Sequence, residues 1–398
     1  MEDLLYLVHR IPYPPNKGDK IRSYHLLKHL SRKDHVHLGA FVDDPADWQY
    51  VDEVRALCQD VCLVELNPLS ARLKSLSALL SGAPLTLAYY SSRQLRTWVE
   101  KTLRDFPINK AVVFSSAMAQ FVPRERHLKR IADFVDVDSD KWRQYAPTKP
   151  WPLSWIYARE GRTLLNYERK VAENFDASLF VTEEEARLFR TLAPESAAKI
   201  GWFNNGVDFG FFSPEHQYAN PYAAEELPLV FTGAMDYWPN VDAVVWFAQE
   251  VFPAIHAKFP QARFYIVGGH PAPAVQQLAQ IAGVVVTGRV ADVRSYLAHA
   301  RMAVAPLRIA RGIQNKVLEA MAMAKPVIAS PQAAEGIRAE MGSDLLVAAD
   351  ALAFQNMIAS VLEEGGSTMG KKARERVVAD YDWQNTLRRV DALLGDVA

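Results

Sequence analysis

Residues 311–330 read RGIQNKVLEAMAMAKPVIAS, and two charges, Lys316 and Glu319, sit in its otherwise apolar middle. Around them stand Val317, Leu318, Ala320, Met321, Ala322 and Met323. A helix that is apolar almost all round belongs in a core. There an ammonium or a carboxylate is costly unless it has a partner. Three residues apart, the two side chains share one helix face. A helix starting near Gly312 offers an anion its first N–H groups and the positive end of its dipole. Lys316 adds a full positive charge where a diphosphate would lie. Glu319 can accept hydrogen bonds from two vicinal hydroxyls. Diphosphate beside ribose is the arrangement of a sugar nucleotide. The alternative is a Lys316–Glu319 ion pair on an exposed edge, and these residues alone leave both readings open.

Other groupings carry less chemistry. His25 and His29 are four apart on a predicted helix, a spacing that suits zinc, but no third ligand accompanies them. Packing or exposed histidines are the better reading, and no metal site is expected. Asp133, Asp136, Asp138 and Asp140 straddle a strand end, so they alternate faces rather than converge on a cation. Asp138 or Ser139 is expected to face the cleft and the others to cap or lie exposed. Glu183, Glu184 and Glu185 begin a helix, where acids complement the dipole. Cys58 and Cys62 fit neither a disulfide framework nor a zinc knuckle and read as free thiols. The stretch 140–160, DKWRQYAPTKPWPLSWIYARE, sets Trp142, Trp151 and Trp155 beside Lys141, Arg143 and Lys149. Rings next to bases suit a sugar acceptor or a lipid headgroup surface; the alternative is a loop folded onto the core.

The elements that must position these residues come in two sets. Apolar runs at 4–8, 36–41, 61–66, 111–116, 131–137 and 177–182 alternate with helix-length segments. The pattern restarts at 227–233, 263–269, 284–288, 302–307, 326–330 and 345–349. Such runs predict parallel sheets covered on both faces. With 398 residues, the chain has room for two such domains. Between the sets lies an Asn-, Gly- and Pro-rich stretch, 204–228, that reads as a linker. The fold class is therefore α/β, with two Rossmann-like, doubly wound domains facing a cleft. Gly233, Gly268, Gly269 and Gly288 fall just after strands, where ligands of such sheets bind. Neither G-x-G-x-x-G after the first strand nor a P-loop is present, which argues against a dehydrogenase and a P-loop ATPase. A net charge of -1 argues against nucleic acid as a partner. The N-terminal apolar run is too short for a signal peptide, and nothing reaches the ~18 apolar residues of a membrane span. The expected location is cytoplasmic, free or peripheral on the inner face of the plasma membrane.

The donor-side segments resemble those of the retaining, GT-B-fold glycosyltransferases of family 4. The likeness runs through NNGVD (204–208), TGAMDYWPNVDAVVWF (232–247), YIVGGHP (265–271), VTGRVADVRSYLAHA (286–300) and RGIQNKVLEAMAMAKPVIAS (311–330). YDWQNTLRRVDALL (381–394) is similar to the terminal helix that crosses back to the N-terminal domain. RIPYPPNKGDKIRSYHLLKHL (10–30) and DFVDVDSDKW (133–142) resemble the glycosyltransferases of bacterial exosortase and PEP-CTERM exopolysaccharide systems.

The resemblance implies an acceptor-binding domain at 1–203 and a nucleotide-sugar domain at 229–375. It also implies a crossing helix at 376–398. Glu319 would bind the ribose and act as one catalytic residue. Lys316 and the backbone near Gly312 would hold the diphosphate. Gly233 would line the donor site, and the loop of Arg289 and Val290 would meet the base. Gly18 would approach the donor phosphates, and Asp19, the second catalytic residue, would orient the acceptor hydroxyl. Arg22, Asp138 and Trp142 join Asp19 on the acceptor side. Arg311 stands where the family places a carboxylate, and no base follows Gly233; three readings stay open, in which Arg311, with Arg308, takes over part of the diphosphate clamp, meets an acidic sugar such as a uronate, or is an exposed loop arginine. The implied reaction needs no cofactor or metal and moves a sugar from a UDP- or GDP-sugar. Its acceptor would be a glycan or polyprenyl-linked precursor. A nucleotide-sugar epimerase and a non-catalytic nucleotide-sugar binder are the alternatives.

Overall fold

The computed structural model describes residues 1–15, 18–124, 128–310 and 312–395. Seven strands are found in the first half: β1 (Asp3–Val8), β2 (His35–Val42), β3 (Asp60–Glu65), β4 (Lys110–Phe114), β5 (Lys129–Val135), β6 (Ala177–Phe180) and β7 (Ile200–Trp202). They pair in parallel, in the order β3-β2-β1-β4-β5-β6-β7. Six more are β8 (Leu227–Thr232), β9 (Ala262–Val267), β10 (Val284–Gly288), β11 (Met302–Ala305), β12 (Val327–Ala329) and β13 (Leu346–Val347). These are also parallel, in the order β10-β9-β8-β11-β12-β13. The apolar runs predicted as strands all contain one. Strand β7 was not foreseen, because Ile-Gly-Trp is too short to show a period.

Helices cover both faces of each sheet, which is why the strands carry near-continuous apolar runs. In β1, Leu4 to Val8 are fully enclosed. The chain divides into two compact units, Met1–Asn204 with the segment from Thr386 onward, and Asn205–Asn385. Each has its own core. Phe41, Phe134, Phe180 and Phe189 anchor the first, and Phe231, Phe247, Phe252 and Phe264 the second.

Both sheets reverse strand order once, between β1 and β4 in the first and between β8 and β11 in the second. Loops leaving the carboxyl ends on either side of such a reversal diverge and open a crevice for a ligand. Helix Gly18–Leu30 follows β1, and helix Asn315–Ala322 follows β11. Cys58 and Cys62 are free thiols, pushed up by burial to about 12 and about 11. No helix among the described residues is long and apolar enough to cross a membrane.

Candidate functional site

At the second reversal point, backbone bonds join the strand ends into a rim. Gly233 N donates to Val267 O, Met235 N to Gly269 O and Gly268 N to Gly288 O. A Cβ on Gly268 would lie 1.7 Å from Gly233 O, so only glycine lets these loops touch. At Gly233, with φ +155°, a Cβ would meet Asn240 Nδ2 at 2.8 Å and Lys316 Nζ at 3.3 Å.

Helix Asn315–Ala322 buries Val317, Leu318, Ala320, Met321 and Ala322. Lys316 and Glu319 are half-buried. Lys316 Nζ donates to Asn240 Oδ1 at 2.5 Å and sits 4.4 Å from the centroid of the Phe231 ring. Asn240 is itself buried, and its Nδ2 donates to Ala234 O at 2.8 Å. That bond fixes the amide so that its oxygen faces the ammonium. Among the described residues, no hydrogen bond or ion pair engages the Glu319 carboxylate. The exposed ion pair that the sequence left open is therefore not what forms. Burial pushes Lys316 down to about 7, against the pull of Glu319. Burial likewise pushes Glu319 up to about 7, against Lys316. An arriving diphosphate would favour the charged ammonium and offset its desolvation.

Other residues expected on the donor side belong to the same unit. Asn205 Nδ2 donates to Asn315 Oδ1 at 3.2 Å, tying the NNGVD stretch to the start of the helix. Gly312 has φ +63°, a conformation a side chain would strain, just before the helix. Arg289 is exposed after β10, its Cβ 3.7 Å from where a Cβ on Gly269 would be, and Val290 packs on the core. Arg308 forks onto Asp242. Arg311 lies outside the described residues. Asn240 was missed: an Asn in the first turn of a helix carries no sign of a partner far along the chain.

At the first reversal point, Asp19 sits in the opening turn of helix Gly18–Leu30, beside exposed Gly18. Arg10 Nη1 donates to Asp19 Oδ2 at 2.6 Å, and Arg10 Nη2 to Asp43 Oδ2 at 2.7 Å. His9 Nε2 lies 3.4 Å from the same Asp19 oxygen. Burial alone would raise Asp19, but the His9 hydrogen bond and the Arg10 charge hold it well below the usual carboxylate range. Asp19 is thus a fixed anion, suited to orient a hydroxyl and poorly suited to take its proton. His9, Arg10 and Asp43 were not singled out in the sequence, since three residues on two loops have no common spacing.

Several acceptor-side expectations are corrected. Arg22 is fully buried: it forks onto Asp133 at 2.8 and 3.0 Å, donates to Phe203 O at 2.9 Å and lies over the Phe203 ring. It has no surface to offer an acceptor. Asp133 and Asp140 neither cap nor lie exposed; Asp140 is buried and accepts from Arg143 and Gln144. Ser139 is buried and donates to Glu168, which burial pushes up to about 8. Asp138 is half-buried and paired with Lys141 at 3.2 Å, and Trp142 packs edge-on against Tyr157. His29 bonds Asp391 at 2.7 Å, and His25 packs edge-on against Tyr24. No cluster of metal-binding side chains occurs among the described residues. Val135 and Ser115, at the ends of β5 and β4, have φ of +69° and +77°. Strain of this kind gathers at ligand-binding ends of folds.

Residues 226–364, within the second unit, match the sequence model of the glycosyl transferases group 1 family. No curated protein matches the chain. Among solved structures, sucrose-phosphate synthase from Thermosynechococcus elongatus superposes with a TM-score of 0.69 at 18% identity, covering 99% of this chain and 98% of that one. Anabaena HepE in complex with UDP-glucose superposes at 0.66 and 13%, covering both chains fully, 100% and 100%. WaaG, a glycosyltransferase involved in lipopolysaccharide biosynthesis, superposes at 0.65 and 14%, covering 98% and 100%. At these identities the likeness establishes the fold, which is GT-B.

Proposed function

We propose that this protein is a glycosyltransferase that moves a sugar from a nucleotide-diphosphate sugar to a glycan or lipid-linked acceptor, with retention, in exopolysaccharide assembly. The observation that carries this reading is the half-buried Lys316, held by Asn240 at the carboxyl end of β8, with a Glu319 carboxylate on the same helix that has no hydrogen bond or ion pair among the described residues. It lies within the stretch that matches the glycosyl transferases group 1 family.

On this reading the second unit holds the donor and the first the acceptor. Lys316 and the N–H groups at the start of its helix stabilise charge that grows on the leaving diphosphate. Glu319 accepts from the ribose hydroxyls, and Arg289 with Val290 flanks the base. Asp19 orients the acceptor hydroxyl, whose proton passes to the leaving phosphate, so no protein nucleophile is required. Positioning and charge stabilisation supply the rate. Lys316 does the work that a divalent cation would otherwise do at the diphosphate, so the reaction needs no metal. The exopolysaccharide role rests on the sequence resemblance of segments 10–30 and 133–142, and on this reading the protein works in the cytoplasm.

Incubation with UDP- and GDP-sugars tests the proposal, and uridine donors come first because HepE is solved with UDP-glucose. Nucleoside diphosphate release that depends on an added glycan acceptor is the expected result. An isomerised but intact donor would mean an epimerase, and binding without turnover a non-catalytic binder.

A further inference from the structure

Helix Pro68–Ser75 is built inside out. It buries the small residues Ala71 and Ser75. Leu69 and Leu73 are 72% and 71% exposed, and Leu76, just past its end, is 48% exposed. Their spacing of four and three puts the leucines on one face. A second exposed apolar group lies at the start of helix Leu153–Asn174: Trp151 is 82% exposed, Trp155 53% and Leu153 46%.

One joint holds both groups. Arg159, on helix Leu153–Asn174, donates to Ala78 O at 2.8 Å and to Ala83 O at 3.2 Å. The next residue, Glu160, accepts from Leu85 N and Thr86 N at 2.7 and 2.9 Å. Thus the segment that follows Leu76 is pinned one turn beyond Trp155, and the two groups border the same joint. All six side chains belong to the first unit, and none of them is used in the site described above.

The two segments that carry them hold charge of one sign. Residues 68–82 and 141–159 contain no Asp or Glu, although the chain as a whole has a net charge of -1. Of the bases in these segments Arg72, Lys74, Arg143 and Lys149 are exposed, and Arg143 is paired with Asp140. Large apolar groups in solvent are unfavourable for a protein that stays in water. Leucines and tryptophans on segments whose own charges are all basic match an anionic bilayer surface: rings and leucines enter the headgroup layer and the cations meet lipid phosphates.

We propose that Leu69, Leu73, Leu76, Trp151, Leu153 and Trp155 form one docking surface for an anionic lipid bilayer. The surface stands independently of the sugar-transfer reading.

Co-sedimentation of the full chain with phosphatidylcholine vesicles, and with equimolar phosphatidylcholine and phosphatidylglycerol vesicles, tests it. The wild type should bind the second much more tightly than the first and lose that binding in high salt. Leu69→Gln with Leu73→Gln, and separately Trp151→Gln with Trp155→Gln, should each weaken binding about tenfold or more. These side chains are exposed, so melting temperature and nucleoside diphosphate binding should hold, which distinguishes loss of docking from loss of the donor site. Wild-type protein that stays in the supernatant would overturn the proposal, as would variants that sediment like wild type. A vesicle-independent dimer that both variants abolish would overturn it in favour of a second copy of this chain.

Discussion

Lys316 and Asn240 are 76 positions apart and share a hydrogen bond of 2.5 Å between Nζ and Oδ1. The partner is neutral, so it sets the position of the ammonium without an opposing charge. A carboxylate there would hold the ammonium charged and cancel its field. With a neutral amide instead, burial keeps it close to losing its proton. Binding and stability therefore pull in opposite directions at this residue.

Lys316→Met separates them. A methionine of similar length fills the space without a buried charge, and such exchanges are neutral or stabilising. The melting temperature should stay level or rise. Calorimetric titration with nucleoside diphosphate should show affinity lower by about 2–4 kcal/mol, because a charge-assisted bond to phosphate is lost. Unchanged affinity would remove Lys316 from the site.

The pair also sets a pH signature. Lys316 is depressed from 10.5 to about 7, so between these values the unfolded chain holds more protons and stability rises with pH. Glu319 is raised from 4.5 to about 7, so between these values the folded chain holds more protons and stability falls with pH. Together they give a minimum in their contribution near neutrality. Denaturant unfolding across this range should lose that dip in a Lys316→Met, Glu319→Gln double variant. Diphosphate binding above neutrality should take up a proton at Lys316, visible as a dependence of the binding heat on buffer ionisation and absent in Lys316→Met.

Glu319→Ala should leave the fold intact, since alanine is a good helix former and the change removes a desolvated carboxylate. Donor binding or turnover should fall by about 2–4 kcal/mol through loss of the ribose contact. Wild-type kinetics with every donor would show that Glu319 meets no substrate.

Asp19→Asn keeps the shape and removes the anion between Arg10 and His9. Turnover should drop while nucleoside diphosphate affinity stays within about twofold, since the proposed effect is on the acceptor hydroxyl. Because Asp19 is held well below the usual carboxylate range, wild-type kcat/KM should show no loss in mild acid from this group. A mutant with normal turnover would leave Asp19 as a surface ion-pair partner.

Arg22 and Asp133 form the opposite kind of pair, fully enclosed and mutually satisfied. Asp133→Asn or Arg22→Met leaves one buried charge uncompensated and should cost about 3–5 kcal/mol of stability. Urea unfolding midpoints measure this. Changing both together to Met and Leu should recover much of the loss, whereas a purely acceptor-binding Arg22 would show no such coupling.

What the amino-acid order determined alone is local. Apolar runs such as 4–8 and 227–233 become strands because burial on both faces demands unbroken hydrophobicity, and that periodicity is carried by neighbours in sequence. The glycines at the ends of β8, β9 and β10 mark the rim for the same reason, as backbone approach is limited by each residue's own Cβ. The helix of Lys316 and Glu319 announced itself by two charges in an apolar run. Tertiary structure alone decided what each charge meets. Asn240 becomes the partner of Lys316 only because β8 and β11 lie side by side, so their following loops converge. Arg22, Asp133 and Asp140 look like surface charges in a sequence, yet parallel register and helix packing seal them inside. Burial and partner are properties of elements distant along the chain, and a charge's chemistry depends on both.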